Sequence, residues 1–186
     1  MEGEMNFDRE KFRELLLYIA RRSEDDPRFG ATKLNKILFF ADFTAFRRLG
    51  KAITGARYQK LPQGPAPREL LPLKAEMEHD CEIVEVERSY FGLVQRPIVA
   101  RREPYLDRFS GPEIALVDEV LAQLRHLDAR DVSELSHEFC GWQYTELRQD
   151  IPYDTALLTI GEPSANDFRI ASELNREYGW TSAIAK

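Results

Sequence analysis

Thr32-Lys33-Leu34-Asn35-Lys36-Ile37-Leu38-Phe39-Phe40-Ala41-Asp42-Phe43-Thr44-Ala45-Phe46-Arg47-Arg48-Leu49-Gly50 is the stretch that decides the fold. Leu34, Ile37, Leu38, Ala41 and Ala45 recur at helical spacing and form one apolar stripe. Phe39, Phe43 and Phe46 form a second. A helix that is apolar on two faces must be covered on most sides, so it is expected at the centre of the fold. Thr32 reads as its N-cap, and Gly50, just past Leu49, as its terminator. Asp42 lies inside the apolar run. A buried carboxylate needs a cation or several donors, and Arg57 and Tyr58 are the nearest candidates in sequence. The alternative is that Asp42 occupies a narrow exposed seam.

Upstream, Asp8 to Ser23 reads as a helix, with Asp8 as N-cap and Phe12, Leu15, Leu16 and Ile19 on one face. Pro27 and Gly30 mark the following loop. Downstream, Ala56–Leu61 suits a short extended piece, and the prolines and glycine of Pro62–Pro67 a rigid turn. A helix is expected from about Pro67 to His79. Pro72 requires it to start late or to kink. Glu82–Arg88 and Leu93–Arg101 read as the strands of one hairpin, with Ser89–Gly92 as its loop and Pro97 marking an edge.

Ser110-Gly111-Pro112-Glu113 is a capping box for a helix that should bury Ile114, Val117, Leu121 and Leu124. Asp128 caps a shorter helix through Val132 and Leu135 to His137, with Gly141 as its breaker. Ile151-Pro152-Tyr153 reads as a turn. Ser164 is placed to cap a last helix carrying Phe168, Ala171, Leu174 and Tyr178 inward, with Gly179 ending it. The expected fold is mainly α (α+β): a compact bundle of five or six helices around a central helix, with one small β-hairpin. One domain is expected over residues 1–186, with an ordered core at 8–178 and loose ends at 1–7 and 181–186.

The 186-residue chain carries a net charge of −6, which argues against general binding to nucleic acid or membrane surfaces. The charge is unevenly spread. Between Lys33 and Lys74 there are nine Lys/Arg against Asp42 and Glu69, so that segment carries +7 and the remainder −13. Such a dipolar layout suits an electrostatically steered protein partner, or else solvated basic faces. Met1–Asp8 has neither a basic nor an apolar leader segment, and no apolar run approaches the ~18 residues that span a membrane. A soluble protein of the reducing cytoplasm is expected, with Cys81 and Cys140 as free thiols.

No phosphate-binding glycine loop and no metal-ligand spacing occurs, so no cofactor or metal is expected. His137 and Cys140 are the only nucleophile–base pair at helical spacing. The alternative is a polar His137 packed near Trp142 and a Cys140 acting as a small buried apolar residue.

Lys33–Phe43, continuing through Gly50–Gln59 and Leu61–Leu70, resembles the signature of the Panacea domain family, the SocA-like antitoxins. Leu135-Ser136-His137, Trp142 and Ile151-Pro152-Tyr153 resemble its later landmarks, so the likeness runs from about Glu10 to Tyr153. Lys33, Leu34, Asn35, Lys36, Phe40, Asp42, Gly64, Pro65, His137 and Trp142 are the motif positions. The resemblance implies a non-catalytic antitoxin whose partner is a cognate toxin bound directly. It also implies, from at least one member, an adaptor role toward an ATP-dependent protease. The partner surface expected here is the basic corner of Arg47, Arg48, Lys51, Arg57, Lys60 and Arg68, with Tyr58 as aromatic anchor. Two other readings stand beside it: a small enzyme with a site near His137 and Cys140, and a nucleic-acid-binding regulator using segment 33–74. The sequence leaves the oligomeric state open.

Overall fold

The computed structural model describes residues 6–158 together with Arg169, Ile170, Glu173 and Arg176. Among these the fold is mainly α with some β: six α-helices and three short antiparallel strand pairs.

Helix α1 (Arg9–Arg22) starts at Asp8, whose carboxylate accepts from Lys11 N at 2.9 Å. Its buried surface exceeds one stripe, because every residue from Glu14 to Ala20 is buried. Helix α2 (Ala31–Leu49) is the central helix, packing against the later helices α4 (Gly111–Leu124) and α5 (Ala129–His137). The cap is Gly30 rather than Thr32, with Leu34 N bonded to Gly30 O at 2.9 Å, and Thr32 falls within the first turn. Gly50 ends α2 in the left-handed region at φ 75°, which costs a glycine nothing.

The extended piece and rigid turn after α2 fold as a hairpin of their own, β1 (Tyr58–Leu61) with β2 (Gly64–Pro67). Pro65 and Pro67 lack the N–H that normally marks a strand, which is why this pairing escapes a sequence reading. The other edge of β1 is covered, since Ile151 N donates to Tyr58 O and Lys60 N to Gln149 O. Helix α3 (Leu70–His79) starts late, which puts Pro72 in its first turn.

The single expected hairpin at 82–101 is two stacked pairs. Strand β3 (Ile83–Glu85) pairs with β6 (Ile98–Ala100), and β4 (Arg88–Tyr90) with β5 (Leu93–Gln95). Pro97 is the break between β5 and β6. Phe91 (φ 47°) and Gly92 (φ 79°) make the two-residue turn, both in the left-handed region as a type I′ turn requires.

Glu113 completes the box at the start of α4 by accepting from Ser110 N at 2.8 Å. The buried face of α4 is Leu116, Val117, Val120 and Leu124; Ile114 and Leu121 are half-buried. Asp128 caps α5 by accepting from Arg130 N and Asp131 N. Gly141 does not end a helix but lies within α6 (Cys140–Tyr144), because its missing side chain lets Thr155 and Ile151 come close. A 3-10 helix, Tyr153–Leu157, follows. The expected last helix from Ser164, the tail from Trp180 and Met1–Met5 lie outside the described residues, apart from four helical positions at Arg169, Ile170, Glu173 and Arg176. Phe7 packs edge-on to Phe12, with ring centroids 5.6 Å apart.

Candidate functional site

A helix as deeply buried as α2 must satisfy its polar residues internally. Asp42 is fully buried. It sits on no exposed seam. Its Oδ1 accepts from Thr54 N at 2.7 Å, and its Oδ2 from Thr54 Oγ1 at 2.5 Å and Tyr58 OH at 2.8 Å. The expected cation is not there: Arg57 turns outward and its Nε bonds Glu69 at 2.8 Å. Burial raises the Asp42 carboxyl above its ordinary range, against the opposing pull of these donors. Burial, and then the neighbouring Asp42, push the Tyr58 hydroxyl well up. Tyr58 also meets Phe39 and Phe43 edge-on, each at 5.6 Å, and Phe43 stacks on Tyr153 at 4.4 Å. With 1% of its surface exposed, Tyr58 is a core pillar, not a surface anchor.

Lys33 and Lys36, counted above with the basic surface, are both buried. Their environments differ. Lys33 Nζ has three acceptors: Asp26 Oδ2 at 2.6 Å and the carbonyls of Arg125 and Leu127 at 2.9 Å each. It therefore ties the start of α2 to the carbonyl end of α4, where a cation also meets the negative pole of the helix. Lys36 Nζ has one acceptor, Pro65 O at 3.2 Å, and no ion pair among the described residues. Burial lowers its amine to about 8. The i+4 neighbours of these lysines, Ile37 and Phe40, are apolar, which is the one sequence signal that both face inward.

Around Lys36 the structure gathers the later motif residues. Gly64 (φ 96°) packs beneath it, and Ser136 closes the other side from α5. His137 stacks flat on Trp142 with centroids 3.9 Å apart, and the Trp142 indole N–H donates to Leu61 O at 3.1 Å. Lys60 Nζ lies 4.3 Å from the Trp142 ring centroid. His137 Nε2 is buried without a partner among the described residues. Desolvation, then the nearby Lys36, lower its pKa. Leu34 and Pro65 are buried, Phe40 is half-buried, and Asn35 donates back to Ala31 O at 3.0 Å within α2. Cys140 is buried at the start of α6.

The basic corner is scattered into pairs. Arg48 bonds Glu119, Arg57 bonds Glu69, and Arg68 bonds Asp150 and Arg148 O. Arg47 and Lys51 are exposed and make no ion pair among the described residues. Leu49, 38% exposed, stands between them. No group of three or more His, Cys, Asp or Glu that could hold a metal occurs among the described residues, and no helix there is long and apolar enough to cross a membrane.

Residues 34–143 match the family described as antitoxin SocA-like, Panacea domain. The chain belongs to this family. None of the curated proteins compared with it matches. The matched span of this Panacea domain encloses Lys36, Asp42, Gly64, His137 and Trp142, and leaves Lys33 just outside. Membership supports an antitoxin role, with a toxin as the general kind of partner. What the sequence missed is where most polar residues of the Panacea signature go: Lys33 ties α2 to the end of α4, Lys36 ties it to β2, Asp42 ties it to Thr54 and β1, and Trp142 ties α6 to β1.

Proposed function

We propose that this Panacea domain neutralises a protein toxin by binding it directly, without chemistry of its own. The family match across residues 34–143 carries the reading. It is supported by how the signature side chains are used: Lys33, Asp42 and Tyr58 spend their hydrogen bonds inside the core. The binding face in this proposal starts at the exit of α2, with Arg47, Arg48, Leu49 and Lys51, and takes in Arg57, Lys60 and Arg68 of the β1–β2 hairpin region. Exposed ion pairs contribute little to stability, so a toxin's carboxylates can replace Glu119 or Glu69 at low cost. Such a face raises the association rate and makes it salt-sensitive. The bound toxin is then either held inactive or handed to an ATP-dependent protease in the cytoplasm.

The test is co-expression of the tagged chain with the product of the adjacent gene. Co-purification and rescued growth are the expected results. Arg47→Glu with Arg48→Glu should leave the fold intact and weaken capture, most of all at low salt. Toxin levels that fall only when the protease is present select delivery over blocking. Unchanged capture by the reversed-charge variant would refute the proposed face. A small-molecule turnover abolished by His137→Ala, or a steep salt dependence of DNA binding, would overturn the reading itself.

A further inference from the structure

On the far side of α2 from the Asp42 knot, a cleft of about 330 Å³ opens between the end of α1, α2 and α4. That volume is at the small end of ligand pockets, which run from roughly 300 to 1,000 Å³. Its floor is polar and buried: Ser23, Asp26 and Lys33 are each at most 5% exposed. Ile37, Leu121 and Ala122 supply an apolar wall.

The carboxylates of the cleft are largely engaged. Asp26 accepts from Lys33 Nζ at 2.6 Å and from Arg28 N at 2.9 Å. Asp118 accepts from Tyr18 OH at 2.7 Å and Arg22 Nε at 3.2 Å. Asp25 is exposed. Of the cations, Lys33 has its three acceptors and Arg22 pairs with Asp118, whereas Arg21 and Arg125 are less engaged. Arg21 reaches Glu24 and Glu103 through its terminal nitrogens, but its Nε is buried with no acceptor among the described residues. Arg125, an exposed residue, also lines the cleft, and its side chain makes no hydrogen bond or ion pair among the described residues. A buried guanidinium N–H without an acceptor calls for one, and a forked donor favours carboxylate or phosphate.

We infer that this cleft binds a small anion, a carboxylate or phosphate carried on an apolar or planar body. The anionic group meets Arg21 and Arg125, and the body lies on Ile37, Leu121 and Ala122. Occupancy would tie α1 to α4 beside the Lys33 bridge and so stabilise the fold through linkage. The inference does not depend on toxin binding.

Titration calorimetry and thermal shift on the full chain test it, with inorganic phosphate, citrate and adenosine monophosphate as separate probes. Saturable binding of adenosine monophosphate or citrate is expected, with a raised melting temperature. Arg125→Ala and Arg21→Met, each verified as folded by circular dichroism, should weaken it by about tenfold or more, the effect of losing one charge-assisted hydrogen bond. Perturbed methyl resonances of Ile37 and Leu121 should accompany binding. Absence of saturable binding for all three probes up to about 10 mM, weaker than any useful effector affinity, overturns the inference. Equal affinity in wild type and both variants does the same. Binding of free phosphate alone supports the anion site and refutes the apolar or planar body.

Discussion

Ser136 stands where a side chain on Gly64 would have to go. A Cβ placed on Gly64 would lie 2.3 Å from Ser136 Oγ, 2.5 Å from Lys36 Cε and 2.9 Å from Lys36 Nζ. Three elements, α2, β2 and α5, thus meet at the one residue that has no side chain, and Gly64 is also in the left-handed region at φ 96°. Gly64→Ala should therefore destabilise the fold by about 2–4 kcal/mol, through both overpacking and backbone strain. Denaturant unfolding measures this. Adding Ser136→Ala should recover part of the loss, and a strictly additive double variant would show that the two positions do not touch.

Two lysines of one helix should respond in opposite ways to the same change. Lys33→Met strips a partner from buried Asp26 and orphans the carbonyls of Arg125 and Leu127, at a cost of about 3–5 kcal/mol. Lys36→Met removes an ammonium that has a single acceptor and no counter-ion, and should be neutral or stabilising at pH 7. Urea midpoints of the two variants decide it. A large loss in Lys36→Met would contradict the account of its surroundings.

The Lys36 amine also predicts a pH dependence. Its pKa is lowered by burial to about 8, so the folded chain releases this proton before the unfolded chain, whose lysine titrates at the ordinary 10.5. Between these values the unfolded state binds more protons, and stability rises with pH. The cost of burying the charge is felt fully below the folded pKa and is relieved above it, by roughly 2–4 kcal/mol across the window. Buried tyrosines, raised in the folded state, act in the opposite direction toward high pH. The measurement is therefore the difference between wild type and Lys36→Met from pH 7 to 9.5. A flat difference would rule out the shift.

Asp42 should tolerate loss of its charge better than loss of its oxygens. Asp42→Ala leaves Thr54 N, Thr54 Oγ1 and Tyr58 OH without their acceptor and should cost about 3 kcal/mol or more. Asp42→Asn keeps one oxygen, and two rotatable hydroxyls can adapt to the new amide, so its cost should be clearly smaller. Equal losses in thermal unfolding would mean that shape, not hydrogen bonding, holds the knot.

Phe91 is 89% exposed and sits at φ 47°, a conformation that suits Asn or Gly. Phe91→Asn should raise stability by about 0.5–1 kcal/mol through relief of that turn. A fall in melting temperature would show that the ring, against Tyr90 at 4.7 Å, gives the hairpin more than the turn takes away.

Local signals were enough for the helical frame. The double apolar face of α2, Asp8 before α1, the Ser110–Glu113 box, Asp128 before α5 and Gly50 after α2 all act within a few residues of one another, and each is found where its spacing places it. The destinations of the polar side chains were not legible, because their partners are distant in sequence. Lys33 meets carbonyls 92 and 94 residues away, and the Trp142 indole N–H a carbonyl 81 residues away. The β1–β2 pairing was hidden by prolines that a local rule excludes from strands; they are accepted because β2 is an edge strand and they face Tyr58 and Lys60, whose backbone groups bond residues 148–151 instead. Composition counted Lys33 and Lys36 as surface charge and Tyr58 as a possible anchor. Burial is set by what the whole chain brings to a residue, so the tertiary structure alone assigned all three to the interior.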